Sequence, residues 1–187
     1  MMHDLWPTNV LTGEIENKNL VDSISQHILQ NYNLENMGIS DLSNRNIFEE
    51  DNFFDDFKKE IVIPCFEKWL KNVLNISLKD FKTNSMKAWF SGSQIGYNMV
   101  NHNHSNACLS AVFYFLIEGN KNGDVFFFDP RTNANRGYEN AVWSDLFKPF
   151  VLTPKSYSFV VFPSFLYHQV TPFNGNIRLA IPVDLYL

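Results

Sequence analysis

Three of the five histidines in this chain sit in two apolar stretches, together with an arginine that strand alternation turns the same way. The first stretch, His102 to Phe115, reads HNHSNACLSAVFYF. On an extended backbone residues i and i+2 project from one face, so His102 and His104 can reach one ion. The second, Phe159 to Val183, reads FVVFPSFLYHQVTPFNGNIRLAIPV; it supplies His168 after Phe162-Pro163-Ser164, with Arg178 beyond. A His-x-His pair alone is a weak signal, and the third histidine strengthens it. Three neutral imidazoles on the strands of a rigid barrel can hold one face of a first-row metal ion and leave the opposite positions open for chemistry.

Arg178 indicates what else such a site would take. Ile177, Leu179, Ile181 and Val183 form an apolar face suited to burial under helices. Asn176, Arg178, Ala180 and Pro182 therefore point into the barrel. A guanidinium there needs a negative partner, because isolated buried charge is strongly disfavoured. Its planar fork suits a carboxylate held bidentately. A small dianion reaching from the metal to Arg178 would meet both needs, with the Tyr114 hydroxyl serving the same carboxylate. The competing reading pairs Arg178 with an aspartate elsewhere, Asp129 or Asp184.

The elements that must position these residues follow from periodicity. Residues 5 to 15, punctuated by Pro7 and Gly13, read as an edge strand. From Asn17, the residues Leu20, Val21, Ile24, Ile28, Leu29 and Tyr32 follow helical spacing, ending before Gly38. His27 lies off that stripe and reads as a solvated surface residue. A second helical segment spans Asp51 to Leu74, where Pro64 should kink or split it. Its amphipathic face suits covering a sheet. Beyond Ser77, runs at 82–90, 96–101, 107–117, 123–128, 150–152, 157–162, 167–171 and 177–185 read as strands. Turn signals such as Ser91-Gly92, Gly119-Asn120, Asn122-Gly123 and Asn174-Gly175 separate them. About eight short strands after two helices predict a mainly β jelly roll with helices packed on one sheet. Residues 132–149 read as a loop of the length that serves as a lid or substrate contact. Trp89 and Phe113 are candidate substrate walls, with core packing as the competing and commoner role for such aromatics.

Composition bounds the rest. A chain of 187 residues suits one domain, 1–187, with a helical part at about 17–75 and a β core at about 82–187. Apolar residues make up 45% and include 18 phenylalanines, which excludes a disordered chain. The net charge of −5, with no basic block, argues against a grip on nucleic-acid phosphates. Cys65 and Cys108, outside any Cys-x-x-Cys pair, read as reduced core thiols. With no signal-peptide pattern and no membrane-length apolar run, a cytoplasmic location is expected.

The order His-x-His, LSAVFYFL, GDVFFFDPR, FPSFLYHQVTP and a trailing arginine resembles the Fe(II)/2-oxoglutarate-dependent dioxygenases. More narrowly, it is similar to their bacterial and phage branch near the prolyl hydroxylases, which places the expected cytoplasm in a bacterial or phage-infected cell. The likeness covers most of the chain, including the opening LWPT, and is most specific from Trp89 onward. It implies a double-stranded β-helix, with His102, His104 and His168 as iron ligands. It also implies that Arg178 binds the distal carboxylate of 2-oxoglutarate, supported by Tyr114. Most such dioxygenases have a carboxylate at the position of His104, although the resemblance implies that His-x-His is usual in this branch. Asp129 is the candidate should a carboxylate enter the shell, with an exogenous anion as the other option.

The implied reaction consumes molecular oxygen and 2-oxoglutarate, releases succinate and carbon dioxide, and hydroxylates a substrate that could be a protein side chain, a metabolite or a nucleobase. Two alternatives stand beside it. One is a cupin-type enzyme using three histidines without 2-oxoglutarate. The other is a non-catalytic binding or virion-associated module. The sequence leaves the oligomeric state open.

Overall fold

Near-continuous burial along the two longest strands, which are covered on both faces, sets the architecture, described by a computed structural model over residues 7–32, 45–93, 96–119, 123–131 and 148–187. Among these residues the strands are β1 (Leu11–Glu14), β2 (Ser85–Ala88), β3 (Ser91–Ser93), β4 (Met99–His102), β5 (Leu109–Glu118), β6 (Val125–Phe127), β7 (Phe150–Leu152), β8 (Ser158–Pro163), β9 (His168–Val170) and β10 (Ile177–Tyr186). They form two antiparallel sheets. The larger runs β1-β8-β5-β10-β2 with β3 also on β10, and the smaller runs β4-β9-β6-β7. This is a double-stranded β-helix, and β1 takes the edge position expected of it.

Helix α1 (Lys18–Asn31) starts where the Asn17 side chain accepts from the Leu20 N–H at 3.2 Å, and it buries Val21, Ile24 and Ile28. After α2 (Ile47–Glu50) comes a continuous run: a 3-10 turn (Asn52–Phe54), α3 (Asp55–Phe57), a π turn (Lys58–Val62) and α4 (Ile63–Leu74). Pro64 neither splits nor ends this run. It has no N–H to give and would crowd the carbonyl of Glu60, and the wider π turn just before it absorbs the misfit, with the Ile63 N–H reaching back to Lys58. Asn46 ties the helical layer to the sheet, its amide bonding the Met86 carbonyl and the Ala88 N–H of β2, both at 3.1 Å.

Two cores result. Under the helices, Phe54, Phe57 and Phe66 meet Phe113, Phe115, Leu179, Ile181 and Val183 of the larger sheet. The Phe57 ring stands edge-on to both Phe113 and Phe115, with centroids 5.2 Å away. Each such buried side chain contributes about 1.5–3 kcal/mol relative to exposure. Phe113 is therefore core, the alternative to its reading as a substrate wall. Between the sheets, Tyr114, Val160, Phe162 and Ala180 face Val125 and Phe127.

Other expectations also change. Ser91 and Gly92, read as a turn, lie in β3, where Gly92 is opposite Leu179. Cys108 is exposed and Cys65 half-buried, so neither is a fully buried core thiol, although both are free. His27 is not simply solvated. It stacks on Phe53 with centroids 3.9 Å apart and meets Asp51 at 2.8 Å, joining α1 to the second helical segment. Residues 132–147 of the expected loop lie outside the described residues.

Candidate metal centre

His102 faces the inter-sheet space because β4 carries an irregularity. Met99 pairs with Val170 and His102 with His168, so three steps on β4 match two on β9. Regular alternation would turn Met99 and His102 to opposite faces, and the extra residue restores them to one. The His102 and His168 rings then lie directly across the ladder, with centroids 4.3 Å apart.

His104 arrives differently from expectation. β4 ends at His102, so strand alternation does not place the third ring. Instead, the His104 N–H donates to the Ser164 carbonyl at 3.0 Å, seating it over the turn that precedes β9. Its ring centroid is 5.2 Å from that of His168 and 5.4 Å from that of His102. One nitrogen from each of the three rings falls within 4.8 Å of the others.

Hydrogen bonds fix which nitrogen that is. Nδ1 of His102 is 2.7 Å from the Val100 carbonyl, Nδ1 of His168 is 3.0 Å from the Leu166 carbonyl, and Nδ1 of His104 is 2.7 Å from Asp184 Oδ1. Since those partners only accept, each Nδ1 carries the proton and each Nε2 keeps its lone pair for an ion. Burial pushes the His168 imidazole down to about 3, partly opposed by the Leu166 hydrogen bond. Burial also lowers His102. Both rings are neutral at pH 7, the form that binds metals.

The same cavity, about 130 Å³, is lined by the three histidines, by Arg178 and by Tyr114. Val112, Val125, Phe127, Val160, Phe162 and Val170 give it apolar walls, and Trp89 also lines it. Arg178 is 2% exposed, with its guanidinium carbon 5.2 Å from the Tyr114 ring centroid and 5.7 Å from that of Tyr97. The Tyr114 hydroxyl is fully buried and has no partner in hydrogen-bond geometry among the described residues. Burial raises its pKa to about 12, opposed by the charge of Arg178.

A second irregularity shapes this end. Leu179 pairs with Leu116 and Ala180 with Tyr114, so Phe115 is the extra residue on β5. Phe115 and Leu116 both join the helix-side core, while Ile117 returns to the inter-sheet side opposite Arg178.

Neither aspartate plays the part considered for it. Asp129 folds back on Arg131, its Oδ1 accepting from the backbone N–H and from Nε, both at 2.9 Å, and it lines a separate groove beside Pro7 and Thr8. An Asx turn two residues long closes that pair locally, so Asp129 contributes nothing to the histidine cluster. Asp184 serves His104. Strand parity puts Asp184 on the inward face with Arg178, and about 20 Å of extended chain separates the two. Sequence reading missed this role, although parity was the available signal.

A family model described as "Putative 2OG-Fe(II) oxygenase" matches residues 87–184. The fold is similar to a Pseudomonas putida prolyl-4-hydroxylase (15% identity, 95% of this chain and 86% of that one, TM-score 0.58). It is likewise similar to HygX from Streptomyces hygroscopicus with nickel and 2-oxoglutarate bound (10% identity, 96% and 82%, TM-score 0.63). A third likeness is to the viral collagen prolyl hydroxylase of Paramecium Bursaria Chlorella virus-1 (8% identity, 94% and 94%, TM-score 0.55). A search of curated protein sequences gives no significant match.

Proposed function

Since the chain belongs to the 2OG-Fe(II) oxygenase family, enzymes that use Fe(II) and 2-oxoglutarate, we propose that His102, His104 and His168 hold the iron and that Arg178 with Tyr114 receives the distal carboxylate of 2-oxoglutarate. The observation behind this reading is one cavity that gathers three imidazole lone pairs, a buried guanidinium and, beside it, a buried tyrosine hydroxyl. Bound iron would supply oxygen activation coupled to cosubstrate decarboxylation. We take the outcome to be hydroxylation of a substrate yet to be identified, with succinate and carbon dioxide as coproducts.

The chain's own residues bind and orient. The carbonyls of Val100 and Leu166 aim two of the rings. Arg178, braced against two aromatic faces, offers a planar fork to one carboxylate, and the Tyr114 hydroxyl gains the acceptor it lacks in the cavity. Valine and phenylalanine walls lower the polarity around these contacts, which strengthens each of them. Residues 1–187 would then act as one domain, its helical part bracing the outer face of the larger sheet. Among the described residues no helix is long and apolar enough to cross a membrane.

The test combines metal analysis with product detection. Protein purified without chelator should take up iron stoichiometrically and release succinate from 2-oxoglutarate. His168→Ala should lose the iron while keeping its far-UV circular dichroism. Full iron occupancy in that variant would remove the ligand assignment, and iron binding without succinate would favour a cupin-type enzyme.

A further inference from the structure

Three imidazoles bring no charge to a divalent ion, whereas a site with two histidines and a carboxylate brings one negative charge. In this protein a negative group lies one ring away. Asp184 on β10 is buried, and its Oδ1 accepts from His104 Nδ1 at 2.7 Å and from Ser110 Oγ at 2.6 Å. Separations of this size are those of charge-assisted hydrogen bonds. Because the Ser110 proton goes to Asp184, the Ser164 hydroxyl, 2.9 Å away, donates to Ser110. The Ser164 carbonyl in turn holds the His104 N–H. One buried network thus grips His104 by ring and by main chain.

A buried carboxylate is costly unless compensated. Two donors offset part of that cost, and a cation beyond the His104 ring would offset more. The other two rings are served by neutral carbonyls. Among the described residues only His104, standing where most of these enzymes place a carboxylate, has an anion hydrogen-bonded behind it.

We propose that Asp184 is the anionic partner of the metal centre, acting through His104: it locks the ring with Nε2 toward the ion and lends it the negative charge that three neutral ligands lack. Asp184 is a positioning residue, and this inference rests on His104 being a ligand.

The experiment titrates metal-free protein with Co(II), reading the ligand-field absorption, for the wild type and for Asp184→Asn. The amide keeps an acceptor oxygen and removes the charge. We expect the Co(II) dissociation constant to rise about 10- to 100-fold and the bands to move, with circular dichroism unchanged. Wild-type affinity and bands in a folded Asp184→Asn protein would overturn the inference alone. A wild-type protein that takes up no Co(II) would overturn the metal reading and this inference with it. If Asp184→Asn does not fold, Ser110→Ala loosens the carboxylate without removing it. A smaller loss of affinity in the same direction supports the inference, and no loss overturns it. Adding Asp184→Asn to His104→Asp completes a double-mutant cycle. With the charge already in the ligand, the second change should cost no affinity; an equal cost in both backgrounds would overturn the coupling.

Discussion

The two faces of the larger sheet are made by alternate residues of the same strands, yet they differ in kind. On β10, Leu179, Ile181 and Val183 sit in an unbroken apolar layer beneath the helices. Arg178 and Asp184, also buried, face the other way among the histidines and Tyr114. On β5, Phe113 belongs to the first face and Tyr114 to the second. A strand can therefore hold the fold together with one set of side chains and furnish a polar chamber with the next. Substitutions one residue apart should have unlike consequences.

Phe113→Ala offers the hardest test on the helix side. Its ring fills the space between Phe57 and Phe159, so truncation should destabilise the protein by about 3–5 kcal/mol in denaturant unfolding. Iron affinity of the folded fraction should stay as in the wild type; a large loss would blur the division between the faces. On the other face, Arg178→Ala should weaken 2-oxoglutarate binding by ~100-fold, about 2.7 kcal/mol, while iron still binds. Unchanged affinity by calorimetry would take away its assigned role.

Acid should distinguish the faces without any mutation. The folded, metal-free protein holds His168 near 3 against an ordinary 6.5, so between those values the unfolded chain binds a proton that the folded one refuses. The stability contribution is whole above pH 6.5 and is lost as pH falls toward 3. A drop of about 1 kcal/mol by pH 5.5 is expected, visible as a lower Tm that iron opposes. His168→Ala should reduce that slope, leaving the part that His102 contributes. The smallest effect belongs to Tyr114→Phe. Removing a hydroxyl that has only the Arg178 guanidinium beside it among the described residues should change stability little, while 2-oxoglutarate affinity falls several-fold, about 1 kcal/mol. Lost stability with unchanged affinity would make Tyr114 a purely structural residue.

What the sequence revealed followed its local periods. The two-residue rhythm of 177–183 separated core from chamber correctly, and His168 after Pro163-Ser164 was readable as a partner for His102. Features that depend on pairing between distant segments were hidden. The extra residues in β4 and β5 exist only relative to β9 and β10, and without them the facing of His102 and Ile117 comes out reversed. Asp184 showed the right parity, but nothing local reveals that the end of β10 lies beside the turn holding His104. Likewise, a proline in a helical pattern announces a disturbance without saying that a π turn will absorb it. Cys108 sat in an apolar run, yet it precedes β5, where its backbone is paired with Leu185 and its side chain is left outside.

The two rings steered by main-chain oxygens share one local device, each leaning on the carbonyl two residues earlier in its own chain segment. A peptide oxygen is present whatever amino acid occupies the position, so most point substitutions at Val100 or Leu166 leave those anchors chemically intact. His104 alone takes its bearing from a side chain. Over evolutionary time the orientation of His104 is therefore open to drift through side-chain substitution, at Asp184 among others, while the aim of its neighbours stays inherited with the backbone.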